Sequence, residues 1–329
     1  MKQLNMWIIY ILTIVFMIFI LKCLQEFNKE EYKKKENTEI EKYISEEKSG
    51  QIIEVKLTKT NEVIAMDVND YLRGVVPAEM PPSFELEALK AQAIIARTYL
   101  YHKISQGSHV DADICDSYNH CQAFYKSEKI EEIWRNKGYS EKTIKEYREK
   151  VNKAVSETTN IVAKYNGQCI KAFFHANSGG VTENSKEIWG GEDIPYLVCV
   201  KSLGEENHPY YQTKLSIEKE EFNKKIKENY NIDARGKDIE IVDYTLSGRV
   251  KNLKIGNEII KATSIRTLLS LKSTNFYIDK TDNNYTFNVK GYGHGLGMSQ
   301  TGANYYAKEG KKAEEIIKHY YSGVSVEKI

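Results

Sequence analysis

An α+β fold, with antiparallel hairpins and helices arranged around a cleft, is what this sequence predicts, and three observations carry that expectation. Strand-like apolar runs come in pairs across tight turn dipeptides, Asn166-Gly167 being the clearest. Helical periodicity falls in separate blocks instead of alternating with single strands, which argues against a doubly wound parallel sheet. No Gly-rich loop of the P-loop or dinucleotide-binding kind opens any of those helices.

Taken in order, the chain opens on an uncharged run, Met6 to Leu21, between Lys2 and Lys22. It is slightly shorter than the ~20 residues of a comfortable span, but extends through Leu24 if Lys22 snorkels, and it predicts a single transmembrane helix over residues 1–24. A cleaved signal peptide is the rival, and no small-x-small site follows Leu21. Residues 25–50 alternate Glu and Lys without apolar periodicity and read as a charged stalk, leaving 51–329 as the folded part, one domain or two intimate lobes.

Within it, Ile52 to Leu57 and Glu62 to Met66 predict a hairpin. Ser83 is the expected N-cap of a helix in which Leu86, Leu89, Ala93, Ala96 and Leu100 recur at helical spacing to about Ser105. Ser140 caps a second, with Ile144, Tyr147, Val151 and Val155 on one face. Further strands are expected at 161–165 with 169–174, at 196–200, at 239–246 with 250–255, and at 276–278 with 285–289. Short helices complete the pattern at 265–271, 298–308 and 313–321.

Composition narrows the function. With 47 Lys+Arg against 46 Asp+Glu the net charge is +1, so neither a polybasic nucleic-acid binder nor an acidic tail is indicated. Twenty-three tyrosines suit sugar or peptide surfaces, or else the half-buried faces of strands.

Three segments can carry chemistry. Val75 to Pro82 sets the carboxylate Glu79 in an apolar, proline-rich frame; there it would resist ionisation as a general acid must, or else face solvent beside a helix end. Phe173 to Gly180 leaves a strand for a Gly-rich loop carrying His175 and Ser178. Gly291 to Gln300 packs four glycines around His294. Separately, His109, Cys115, His120 and Cys121 lie within thirteen residues and match a closed tetrahedral Zn2+ site, structural because four ligands leave no position for water. The rivals are disulfides, Cys115–Cys121 and Cys169–Cys199.

In order along the chain, the Pro77–Pro82, Phe173–Gly180 and Gly293–Ala303 segments resemble the stage II sporulation protein D family, over nearly all of Gln51 to Tyr321. The resemblance implies a lytic transglycosylase that cleaves the MurNAc–GlcNAc bond of peptidoglycan during forespore engulfment, leaving a 1,6-anhydro end. It implies Glu79 as catalytic residue, and Arg97, His175, Ser178, Lys201, His294 and Gln300 as substrate-cleft positions. It also implies an outward-facing domain at the mother-cell membrane and partners among stage II sporulation proteins P and M. A non-catalytic glycan platform that activates an amidase is the alternative, and a zinc hydrolase using His109 and the cysteines a distant third.

Overall fold

The computed structural model describes residues 17, 18, 20–31, 48–190 and 193–329. The chain divides into two units, Met1–Lys48 and Ser49–Ile329. In the first, residues 20–31 are helical. Here the sequence expectation of a single-pass membrane protein is corrected: among the described residues no helix is long and apolar enough to cross a membrane. The physical reason is charge, since this helix carries Lys22, Glu26, Lys29, Glu30 and Glu31, which hydrocarbon does not tolerate. Residues 6–16 of the apolar run and 32–47 of the expected stalk lie outside the described residues.

The second unit is α+β. β1 (Ile52–Leu57) and β2 (Glu62–Asp67) form the expected hairpin, Val55 opposite Ile64. α1 (Val68–Glu79) follows at once, Asp67 capping it by accepting from the Asn69 N–H at 2.8 Å. This helix was not expected, because the prolines near Glu79 read as extended frame. Pro77 instead lies inside the helix, three residues before its C-cap Met80, where it forgoes a hydrogen bond to the Arg73 carbonyl, so Glu79 ends this helix as well as preceding the next. α2 (Leu86–Ser105) starts after Glu85, two residues later than a Ser83 cap would set it. Buried on most sides from Ala88 to Leu100, it is the central helix.

β3 (Ile114–Cys115) pairs parallel to β1. Two helices follow, α3 (Ser127–Asn136) and α4 (Glu141–Ser156), the latter capped by Ser140 as expected. β4 (Ile161–Tyr165) and β5 (Gln168–Cys169) turn across Asn166 and Gly167, both at positive φ. The predicted strand to Phe174 breaks after β5, and the chain re-enters a strand as β6 (Phe174–His175). A short α5 (Ser185–Trp189) follows. Residues 196–200, expected as a strand, are not one; they are held by single hydrogen bonds, Thr182 N–H to Val200 O at 2.9 Å and Ser185 N–H to Leu197 O at 3.2 Å, beside an isolated bridge between Val181 and Lys201.

From residue 212 a second layer forms. β7 (Gln212–Glu218), α6 (Lys219–Tyr230), β8 (Ile239–Tyr244), β9 (Val250–Ile255), β10 (Glu258–Lys261), α7 (Ala262–Leu269), β11 (Phe276–Lys280) and β12 (Asn284–Lys290) make two antiparallel sheets, ordered β10-β9-β8 and β11-β12-β7. The chain then returns as β13 (Met298–Ser299), parallel to β6, followed by α8 (Gln300–Lys308), α9 (Ala313–Tyr320) and β14 (Ser325–Lys328), which pairs with β4.

Among the described residues two large hydrophobic cores result, beside a small cluster of Ile130, Trp134 and Ile144. The first gathers α1, α2, α4, α8 and α9 around residues such as Tyr71, Leu89, Ile95, Ile317 and Tyr321. The second, from Ile217 to Val289, centres on Phe222, Leu253, Ile265 and Phe287. Arg249, fully buried, ties the two regions: its Nη1 donates to Val181 O at 3.0 Å and its Nη2 to Ser178 O at 2.5 Å.

Candidate active site

A cleft of about 460 Å³ opens where the end of α1, one side of α2, the segment after β3, the β5–β6 connection, α7 and the loop before β13 converge. Among the described residues, Glu79 is the one carboxylate in its lining, facing Tyr99, His120, His175, Arg266 and His294. The Ala123 N–H donates to Glu79 Oε1 at 2.6 Å. Burial pushes the Glu79 carboxyl up to about 6, the Ala123 hydrogen bond only partly opposing it.

His175 is buried, with Nδ1 3.0 Å from Leu296 O. A carbonyl only accepts, so Nδ1 carries the proton, and Nε2 remains an acceptor with no partner among the described residues. Burial, then His294, hold its imidazole well below the usual range. His294 has the opposite tautomer: Nδ1 accepts from the Leu296 N–H at 3.0 Å, leaving Nε2 as the donor. Burial, with Arg266 and Arg249 nearby, lowers it to about 4. The two rings lie 5.7 Å apart and are both neutral at ordinary pH. Gly293 permits this approach, because at φ 124° a Cβ there would meet the His175 Cβ at 2.6 Å.

Of the seven predicted catalytic and substrate positions, the fold brings Glu79, His175 and His294 together and places the other four elsewhere. Arg97 is fully buried, donating to Thr158 O at 2.6 Å, Ile161 O at 3.2 Å and Asn69 Oδ1 at 3.1 Å, so it clamps α2 to the α4–β4 turn. Ser178 is buried and donates to the Glu205 carboxylate at 2.8 Å. The Lys201 side chain is exposed, and its carbonyl accepts from Tyr306 and His319. Gln300, first residue of α8, turns inward to Gln92 at 3.2 Å. Sequence reasoning missed Tyr99, Tyr118, Arg266 and Tyr292 in the lining. Tyr292 adjoins the glycine cluster around His294, a signal that was available, whereas Arg266 belongs to a helix with no sign of a site.

The His/Cys cluster edges the same cleft through His120 and Cys121. Ligand atoms of His109, Cys115, His120 and Cys121 all lie within 4.8 Å of one another. His109 Nε2 is 3.2 Å from Cys121 Sγ, and His120 Nδ1 is 3.4 Å and 3.7 Å from Cys121 and Cys115 Sγ. Zn–S and Zn–N bonds at tetrahedral angles set N and S about 3.5 Å apart, so the donors fit one such ion. Burial pushes the Cys121 thiol up to about 12, so a bound thiolate there needs a cation beside it. Cys115, Cys121, Cys169 and Cys199 are free thiols, so neither of the rival disulfides is formed.

A protein with this α+β body and a cleft lined by one half-buried carboxyl and two neutral histidines belongs to a class that comparison with known proteins makes specific. A family model described as stage II sporulation protein matches residues 56–165, and one described as domain of unknown function (DUF8618) matches 201–297. The chain is similar to stage II sporulation protein D of Bacillus subtilis, 34% identical over 83% of this chain and 78% of that one. Stage II sporulation protein D of Bacillus amyloliquefaciens is 32% identical over the same shares. The amidase enhancer of Bacillus subtilis is 31% identical over 78% of this chain and 40% of its own. The chain belongs to the stage II sporulation protein D family.

Proposed function

We propose that the protein is a peptidoglycan lytic transglycosylase acting in sporulation, with Glu79 as its acid and base. The observation that carries the reading is the solitary carboxyl of the cleft, raised to about 6. Two-carboxylate glycosidases need a second acid about 5–10 Å away, as nucleophile or to activate water. A lone acid suffices when the substrate supplies its own nucleophile. Glu79 gives its proton to the oxygen linking MurNAc to GlcNAc, and the C1–O bond breaks. The resulting carboxylate takes the proton of the MurNAc C6 hydroxyl as that oxygen bonds to C1, which closes the 1,6-anhydro ring without water. The uncharged His175 offers its unpartnered Nε2 to a sugar hydroxyl, His294 stands beside it with its own N–H given to the Phe174 carbonyl, and Arg266 offers a cation to negative charge on the strand.

His109, Cys115, His120 and Cys121 would hold a Zn2+ ion, which supplies a structural cross-link. Its place in the chain matters, since Cys121 precedes by two residues the Ala123 N–H that holds Glu79. Four protein donors leave no position for water, which weighs against a zinc hydrolase.

Mass spectrometry of glycan strands incubated with the protein tests the proposal. Anhydro-ended fragments made by wild type and not by Glu79→Gln support it. Reducing ends would indicate hydrolysis instead, and binding with no product would favour the second reading, a glycan platform that stimulates an amidase. The similarity to the amidase enhancer supports that reading. Under either, an amidase such as stage II sporulation protein P, and protein M, are the partners proposed.

A further inference from the structure

A second cavity, of about 490 Å³, lies apart from the Glu79 cleft, and the two share no lining residue. Its walls include Tyr101, Tyr165 and Tyr196, together with the carboxamides of Gln106, Asn166 and Gln168. Not one Lys, Arg, Asp or Glu is among the lining residues, in a chain where 28% of residues are charged. His102 also lines it: its Nδ1 lies 3.1 Å from Cys169 O and so carries a proton, while burial holds the imidazole below its usual range and favours the neutral ring, with Nε2 as an acceptor.

We propose that this cavity is a binding site for an uncharged saccharide, an N-acetylhexosamine unit of a glycan strand. Three aromatic rings offer flat apolar faces to the C–H side of a pyranose, and amides offer both donors and acceptors to its hydroxyl and acetamido groups. A charged ligand would meet no ionised side chain among the described lining residues, the nearby charges of Lys103, Lys164, Lys171 and Glu327 lying outside the lining. The rings are held in place: Tyr165 and Tyr196 pack at 5.4 Å between centroids, and the Tyr196 hydroxyl accepts from the Lys171 N–H at 2.9 Å. Continuity with the cleft supports a strand as the source of the sugar. α2 sends Tyr99 to the cleft and Tyr101 to the cavity, while Ile170 lines the cavity and Ala172 the cleft, about 7 Å further along the chain. The choice of glycan as ligand rests on the proposed function; the neutral aromatic lining does not.

Cys169, a half-buried free thiol in the wall, gives a readout independent of catalysis. The full chain is alkylated with iodoacetamide with and without a neutral N-acetylglucosamine oligomer, and modification of Cys169 is followed by peptide mass spectrometry. The oligomer should slow alkylation of Cys169 several-fold in wild type and equally in Glu79→Gln. It should lose that effect in Tyr165→Ala and in Gln168→Ala, the second changing only an exposed side chain. An unchanged Cys169 rate at millimolar oligomer overturns the proposal, as does protection by a stem peptide in place of the sugar. Protection without strand cleavage would count against the proposed function alone, and cleavage without protection against this site alone.

Discussion

The Ala123 N–H lies 2.6 Å from Glu79 Oε1, so the chain just past the His/Cys cluster holds the one acid of the cleft. A backbone donor steadies the carboxylate, yet burial outweighs it and the group stays protonated to about pH 6. That balance sets the first two outcomes below.

Replacing Glu79 by Gln should lower strand cleavage by about 10²–10⁴-fold or more, the usual worth of a positioned acid–base. It should not harm the fold. Because the folded state holds this proton more tightly than the unfolded chain does, stability is full below pH 4.5 and declines as pH rises to about 6. Glu79→Gln removes that decline, so at pH 7 it should be more stable than wild type by on the order of 1–2 kcal/mol. Thermal unfolding at pH 5 and pH 7 checks this; a variant less stable at both would contradict the buried acid.

Cleavage should fall about tenfold per pH unit above about 6, as the acid form of Glu79 is lost. Towards pH 4 His294 gains its proton. Its depressed value means that the unfolded chain binds this proton first, so stability decreases as pH drops from 6.5 towards 4. Rate and melting profiles over pH 4–8 test both limbs.

Arg266 lines the cleft, and no acidic side chain is paired with it among the described residues. Arg266→Ala should weaken glycan binding about 10–100-fold, the worth of a charge-assisted hydrogen bond. It should also move the His294 titration upward from about 4, since the guanidinium is one cause of the depression. An unmoved His294 resonance in an NMR titration would remove Arg266 from this role.

Chelation should release about one Zn2+ per chain and lower the melting temperature, with cleavage lost in step as Ala123 slackens from Glu79. Cys115→Ser should reproduce it. Full activity in a chain shown by elemental analysis to lack metal would separate the cluster from the site.

Arg97 belongs to stability. Arg97→Met strips partners from Thr158 O, Ile161 O and Asn69 Oδ1, and should cost about 3 kcal/mol or more in denaturant unfolding. The KM of the fraction that folds should stay unchanged; a KM effect would return Arg97 to the substrate.

Local chemistry was legible from the chain alone. Asn166-Gly167 takes positive φ whatever surrounds it, Ser140 caps its own helix, and thirteen residues contain all four donors of the cluster, so short-range sterics and hydrogen bonds suffice for each. α1 escaped notice because Pro77 signals a break, and only packing of Tyr71, Leu72, Val75 and Val76 into the core shows how helix tolerates it. The motif residues Ser178, Lys201 and Gln300 look like His175 and His294 as text. What separates them is the direction in which each side chain leaves its element once the two cores are packed together: Ser178 turns to Glu205, Gln300 to Gln92, and the histidines line the cleft that Glu79 also lines. The raised pKa of Glu79 has the same origin. It depends on how much water remains beside the carboxyl, which is settled by cleft-lining segments as far along the chain as Tyr99, residues 118–122, Arg266 and His294, brought there by the fold.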